Sequence, residues 1–263
     1  MNNLSQLLNL NHKTAIITGG AKGIGQGIAY RLAEAGAKVL IADMDEEAGK
    51  NLTKEFTDKG WTVQSIKTDV SNEEDVKMMV AFAKENFGSL DILVNNAGIY
   101  PPAPIAQMAE EQFEKVMQVN LRSCFLTTKY VSEVMKTQGG GRIINITSID
   151  ALHPSMIGLA HYDASKHGMW GFTKNSALEL AEHKIWVNAI APGGIATQGV
   201  EAMSQGASAE QKAASTRAFM AKVPMHRFGE PDEIGTVALF LASEMSSYMT
   251  GSQIVVDGGI LLS

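Results

Sequence analysis

The sequence predicts an α/β domain, a single doubly wound unit with a mostly parallel seven-stranded sheet and helices on both faces. Three observations lead there. Short apolar runs alternate with longer segments of helical period along nearly the whole chain, and no internal repeat or low-complexity tract interrupts them. The 263 residues fit one α/β domain and suffice for a substantial core, so residues 1–263 are expected to form one domain. A glycine-rich turn follows the first apolar run and opens the first helical segment.

The elements follow in order. Residues 14–18 read as a strand, 24–35 as a helix, 38–42 as a strand and 46–59 as a helix, with Asp45 placed as a start-of-helix carboxylate. Strand 62–67, helix 73–87 and strand 92–94 continue the alternation, and a long helical region runs from about 110 to 135. Strand 143–147, a helix over about 161–182, strand 186–190, helix 231–242 and strand 253–256 complete it. Such winding places ligands outside the carboxyl ends of the strands. Residues 199–223 break the rhythm, running from Met203 to Ser208 and then into a polar helical stretch to Met220. They read as a lid or as an ordinary surface excursion, and Met203, Met220 and Met225 suit either an adaptable apolar wall or core.

Composition narrows the function classes. Hydrophobic residues make up 45% and charged residues 19%, and no apolar run is long enough to span a bilayer. The formal net charge of −6, with no basic cluster, gives nucleic acid nothing to hold and favours small-molecule partners. The polar first thirteen residues lack the pattern of a signal peptide, so a cytoplasmic location is expected. Cys124 is the only cysteine, which excludes an intrachain disulfide. Its neighbours Leu121, Phe125 and Leu126 mark it as a buried helix residue rather than a nucleophile. The six histidines show no ligand spacing, and no metal is expected.

Two constellations carry chemistry. Tyr162 and Lys166 stand four apart in a helical segment, so one face presents a phenol beside an ammonium. A fixed positive charge favours the phenolate, which would make Tyr162 an acid or base, although the same spacing also occurs by chance on amphipathic helices. At the other end, Gly19, Lys22, Gly23, Ile24 and Gly25 form a turn where backbone can approach a pyrophosphate at a helix N-terminus. Asp43, closing the second strand, can accept hydrogen bonds from an adenosine ribose, and together they favour a dinucleotide. Asp43 would repel a 2′-phosphate and points to NAD, whereas Lys22 would attract one and points to NADP. Asp43 is given the greater weight.

These residues resemble the short-chain dehydrogenase/reductase family over the stretch from about residue 13 to the C-terminus. The glycine turn is similar to that family's Thr-Gly-x-x-x-Gly-x-Gly, Asn95 to Gly98 to its Asn-Asn-Ala-Gly, and Tyr162 to Lys166 to its Tyr-x-x-x-Lys. Ser148 stands at the family's usual distance before the tyrosine, Asn120 at its fourth catalytic position, and Pro192 to Thr197 fit its Pro-Gly-x-x-x-Thr. The resemblance implies a Rossmann-type fold and hydride transfer between NAD(P) and an alcohol or carbonyl carbon. It implies Tyr162 as general acid and base and Lys166 lowering its pKa while bonding the nicotinamide ribose. Ser148 would hold the substrate oxygen, and Asn120 a water that relays the proton.

It further implies that Asp69 and Val70 border the adenine, and that Asn96, Ala97 and Gly98, with Asn95, support the adenosine side. Pro192, Gly193, Ile195 and Thr197 belong to the nicotinamide end. Two departures are visible. Trp186 stands where many relatives carry arginine, and Gly194 offers a small side chain expected to widen the pocket. A homotetramer is the family's common assembly, and the apolar tail at Ile260, Leu261 and Leu262 suits an interface or packing within one subunit.

Substrate identity is assigned to Asp150, Ala151, His153, Ile157 and the 199–223 segment. Asp150 and His153 would bond a hydroxylated substrate, or serve as loop caps. The leading reading is an NAD-dependent oxidoreductase acting on a secondary alcohol, a sugar or polyol, or a small hydroxyketone. The alternatives are an NADPH-dependent 3-oxoacyl thioester reductase and, from another class, a non-catalytic dinucleotide-binding sensor.

Overall fold

A computed structural model describes residues 3–202 and 208–263. Its seven strands are β1 (Thr14–Thr18), β2 (Lys38–Asp43), β3 (Val63–Lys67), β4 (Ile92–Asn95), β5 (Gly141–Ile146), β6 (Ile185–Pro192) and β7 (Gln253–Val256). They form one sheet in the order β3-β2-β1-β4-β5-β6-β7, and every pairing is parallel, so the expected mostly parallel sheet is parallel throughout. Buried on both faces, the central strands read as continuous apolar runs; all five residues of β1 are buried.

The helices are α1 (Leu4–Leu8), α2 (Gly23–Glu34), α3 (Glu46–Asp58), α4 (Glu73–Phe87), α5 (Glu110–Met117), α6 (Ser123–Gln138), α7 (Ala160–Leu180), α8 (Gln198–Ala202), α9 (Ala209–Lys222) and α10 (Pro231–Ala242). Two apolar layers sandwich the sheet. On one side Ile28 and Leu32 of α2, Phe56 of α3 and Ile234 and Leu241 of α10 pack on Ile17, Ile41 and Val94. On the other, Val76 and Met79 of α4, Leu126 of α6 and Ala177 of α7 pack on Ile16, Leu40 and Leu93. Truncating a fully buried leucine such as Leu32 costs about 2–5 kcal/mol.

Local chemistry explains the starts. The Asp45 side chain accepts the Ala48 N–H and caps α3, as expected, and Asn72 caps α4 by accepting from Glu74 and Asp75. The long helical region differs from expectation. Between α5 and α6 the backbone adopts a π turn over Gln118–Arg122, with Asn120 inside it. Because β1 runs to β2 on one side and pairs with β4 on the other, the sheet opens a crevice at its topological switch point, and both constellations border it.

Candidate active site

The glycine turn is shaped by backbone. Gly19 has φ +60°, a conformation that favours glycine, and a Cβ there would lie 2.9 Å from Ala97 Cα. A Cβ on Gly25 would come within 2.1 Å of the Gly19 carbonyl oxygen. The Asn96 amide locks the turn from β4, donating to Thr18 O at 3.0 Å and Gly19 O at 2.9 Å, while Ala97 N–H donates to Thr18 Oγ1 at 3.1 Å. The bare turn, the free first amides of α2 and a carboxylate at the end of β2 suit a dinucleotide pyrophosphate and ribose. Asp43 accepts Ala21 N–H and Asp45 N–H, which fixes its carboxylate beside the turn. Lys22 is engaged elsewhere, pairing with Asp45 at 2.5 Å.

The other side of the crevice is built from side chains. Tyr162 and Lys166 share one face of α7, with Lys166 Nζ 5.6 Å from the Tyr162 ring centroid. Lys166 is buried and donates to the Ile146 carbonyl at the end of β5, at 2.7 Å. Asn120 is completely buried. Its amide accepts Ile99 N–H at 2.8 Å, donates to Ile99 O at 2.9 Å and donates to Ser165 Oγ at 3.1 Å. Ser165 Oγ donates in turn to the Tyr162 carbonyl, so the π turn, the segment after β4 and the start of α7 are tied together. A Cβ on Gly98 would sit 3.4 Å from Asn120 Oδ1 and 3.6 Å from Lys166 Nζ, so this glycine keeps the floor open beside both. Ser148, following β5, adjoins the Tyr162 phenol and donates to Asp150 Oδ2 at 2.9 Å.

Burial governs the protonation of this cluster. It raises the Tyr162 phenol above its ordinary value; the Ser148 hydrogen bond works the other way, and the charges of Asp150 and Asp163 add to the rise. The same burial lowers Lys166 to about 8. The phenol therefore lies above its ordinary value rather than below it as expected, because burial outweighs any depression by Lys166, whose ammonium donates to the Ile146 carbonyl.

The remaining expected residues divide. Val70 is buried after β3; Asp69 is half-buried and accepts Ser71 N–H and Oγ–H. Burial works to raise the Asp69 carboxyl, but the two Ser71 bonds hold it below its usual value. Asn95 belongs to the interior. It donates to Asn145 Oδ1 at 2.8 Å and accepts from Thr127 Oγ1, and Asn145 continues to Thr173, so the amides join β4, β5, α6 and α7. Cys124 lies in this interior, where burial pushes its thiol up to about 12.

At the β6 end, Pro192 closes the strand and Gly193 N–H donates to Val256 O, holding the turn to β7. Ile195 is buried beside Gly229, and Thr197 meets the glycine turn, its Cγ2 lying 3.2 Å from where a Gly23 Cβ would be. Gly194 does not widen the pocket. The Phe219 ring of α9 fills the position of its missing side chain, with a Cβ-to-Cζ separation of 2.2 Å, and Phe219 stacks on Phe228.

Among the substrate candidates, Asp150 and Ala151 are buried, whereas Ile157 is 89% exposed and His153 turns its Nδ1 to the Pro154 carbonyl. In the 199–223 segment, Met203, Ser204, Gln205, Gly206 and Ala207 lie outside the described residues, and α8 and α9 flank them. Sequence reasoning missed Tyr100. Its ring packs edge-on to Tyr162 at 5.7 Å, its hydroxyl bonds Thr197, and a Cβ on Gly199 would lie 2.2 Å from that hydroxyl. The signal was an aromatic residue two places beyond Asn95-Asn96-Ala97-Gly98. Ser165 was missed too, standing inside Tyr-x-x-x-Lys where the pattern specifies nothing.

A doubly wound parallel sheet with a glycine turn at its switch point, and a half-buried tyrosine beside a buried lysine next to it, is the plan of a dinucleotide-dependent oxidoreductase. Residues 19–261 match the family described as enoyl-(acyl carrier protein) reductase. A 3β-hydroxysteroid dehydrogenase of Eggerthella lenta is 42% identical over 249 residues, 94% of each chain. The crystal structure of a short-chain type dehydrogenase/reductase from Mycobacterium marinum superposes with a TM-score of 0.92 at 35% identity, covering 99% of this chain and 100% of that one. A gluconate 5-dehydrogenase from Burkholderia cenocepacia, solved with NADP and tartrate, gives 0.91 at 32% identity over 99% of this chain and 100% of that one. The chain belongs to the short-chain dehydrogenase/reductase family. It is an oxidoreductase that uses NAD(P) and a small-molecule substrate.

Proposed function

We propose that the protein is an NAD(H)-dependent oxidoreductase that interconverts a secondary alcohol, a sugar or polyol, or a small hydroxyketone with its carbonyl partner, using Tyr162 as general acid and base. The observation that carries this reading is the meeting of Tyr162, Ser148, Lys166 and Asn120 beside the glycine turn. When bound, the dinucleotide supplies the hydride acceptor or donor. Tyr162 gives its proton to the carbonyl oxygen during reduction and takes it back during oxidation. Ser148 holds that oxygen, Lys166 holds the nicotinamide ribose, and Asn120 keeps a water on the route to solvent. Gly19, Lys22, Gly23, Ile24 and Gly25 would hold the pyrophosphate; Asp69, Val70 and Asn96 to Gly98 would border the adenosine, with Pro192, Gly193, Ile195 and Thr197 at the nicotinamide.

Preference for NAD is supported by Asp43 beside the turn and by the pairing of Lys22 with Asp45, which leaves less positive charge for a 2′-phosphate. The gluconate dehydrogenase solved with NADP keeps the other cofactor in the comparison. Residues 1–263 act as one domain with 199–223 as its lid, a role supported by Phe219 seated on Gly194 and Tyr100 over Gly199. A homotetramer is supported by the exposed Phe125 of α6 and Leu178 of α7 and by Leu262 in the tail. A single buried cysteine suits a cytoplasmic location.

The second reading is an NADPH-dependent 3-oxoacyl thioester reductase, favoured by the matched acyl-carrier-protein description. A panel of sugars, polyols, hydroxyketones, hydroxysteroids and a 3-oxoacyl thioester, each run with NAD and NADP, separates them. The proposal expects fastest turnover with NAD and a hydroxylated substrate. Thioester reduction with NADPH alone would replace it, and no turnover of any compound would favour a sensor.

A further inference from the structure

Two loops meet at Tyr162. Residues 96–109 follow β4 and bring the Tyr100 ring edge-on to the Tyr162 ring, and residues 147–159 join β5 to α7 and bring Ser148 to its phenol. Backbone ties the loops edge to edge. Ala103 N–H donates to the Gly158 carbonyl at 2.9 Å, and a Cβ on Gly158, whose φ is +90°, would lie 3.3 Å from the Ala103 nitrogen. Residues 97–109 hold no charged side chain, and residues 149–160 hold two ionisable groups, Asp150 and His153. Both are engaged within their own loop. Asp150 is buried and bonds Ser155 N–H and Ser148 Oγ, and His153 turns Nδ1 to the Pro154 carbonyl. The Tyr100 hydroxyl is likewise engaged, by Thr197. What the two loops present to solvent is apolar: Ile105, Leu152, Met156 and Ile157 are all exposed, the isoleucines to 79% and 89%. A cluster of exposed apolar side chains on the loops that carry a reaction centre marks a binding surface.

We propose that these four side chains, with the Tyr100 ring, form the wall that receives the body of the substrate, and that the substrate is a secondary alcohol, or its ketone, borne on an apolar ring system rather than a sugar or polyol. A hydrocarbon ring seated on this wall takes apolar surface of both partners out of water, which is favourable in proportion to the area covered. A polyol seated there exchanges water for an apolar wall at each of its hydroxyls and finds no partner for them. A site that selects several hydroxyls needs convergent donors and acceptors besides the reacting groups. Here the loops spend theirs on themselves. The inference rests on the oxidoreductase reading above and deepens it, since it selects one among the substrate classes of that reading.

Steady-state kinetics of oxidation with cyclohexanol, decahydro-2-naphthol and sorbitol, each with NAD and with NADP, tests it. Burial of each further methylene on the wall raises kcat/KM about threefold, so decahydro-2-naphthol exceeds cyclohexanol at least about tenfold, and sorbitol falls below both. The double variant Leu152→Ser, Ile157→Ser removes part of the wall at exposed positions. It lowers the kcat/KM ratio of decahydro-2-naphthol to cyclohexanol about tenfold, through a higher KM for the larger alcohol, as loss of uniform binding requires. Sorbitol as the best substrate, or a ratio unchanged in the double variant, overturns the inference and leaves the oxidoreductase reading intact. A variant whose sedimentation shows a changed assembly while the ratio stays at its wild-type value assigns the surface to a second copy of the chain and overturns the inference as well. If the double variant does not fold, Ile157→Ser decides alone on the same ratio. Turnover of none of the three alcohols with either cofactor counts against the oxidoreductase reading, and the inference falls with it.

Discussion

At the β1–β2 end of the crevice the shape is made by backbone: Gly19 at positive φ, Gly25 against the Gly19 carbonyl, and the Thr18 and Gly19 carbonyls held by Asn96. At the β5–α7 end it is made by buried side chains, with Lys166 on a strand carbonyl, Asn120 clamped to Ile99 and Ser148 tied to Asp150. The contrast follows from the two tasks. A pyrophosphate needs close approach and many N–H donors, which any added Cβ obstructs. A proton transfer needs a few groups at fixed distance with altered pKa, which only desolvated side chains supply. The first region should then fail in binding when atoms are added, and the second in turnover when polar atoms are removed.

Lys166→Met attacks the side-chain region most severely short of the tyrosine, and turnover at saturating cofactor is expected to fall about 100-fold. It also tests the pKa. With Lys166 lowered to about 8, raising the pH through that value removes the ammonium, so wild-type cofactor affinity weakens above about pH 8. In Lys166→Met the affinity is weaker and flat with pH, as fluorescence titration across the range would show. Gly25→Ala attacks the backbone region. Overpacking of about 2 kcal/mol should weaken cofactor binding about 30-fold while kcat at saturation stays within about threefold, measured by steady-state kinetics. A large loss in kcat with normal binding would erase the distinction between the ends.

Asp43→Ala removes a side chain from the region otherwise made of backbone. NAD affinity should fall about tenfold and discrimination against NADP should relax, read from kcat/KM with both cofactors. Lys22→Ala has the smallest expected effect. Its exposed pair with Asp45 is weak, and the preference between cofactors should move less than about threefold. A larger change than that of Asp43→Ala would transfer the cofactor choice to Lys22.

The backbone region was the more legible of the two in the sequence. A strand such as β1 is an uninterrupted buried run, and a glycine turn between strand and helix leaves its spacing in the chain. Most helix and strand ends fell within a residue or two, because caps such as Asp45 are local, while α6 runs three residues beyond the expected end at 135 and α1 was not foreseen. The π turn at Asn120 left no trace, since residues on both sides keep helical period. The Asn120 clamp on Ile99 comes from 21 residues away. Residue types revealed Tyr162 and Lys166, but their protonation depends on burial from several elements, and the expected sign was reversed. Gly194 misled for the same reason: its partner Phe219 arrives on α9.

The most direct test of a proton-transfer site separate from the cofactor turn is Tyr162→Phe, with turnover and dinucleotide affinity measured on the same preparation. The expected result is a kcat at least about 1,000-fold lower with the cofactor Kd within about twofold of wild type. Turnover that survives, or a cofactor affinity that collapses together with it, would contradict the account.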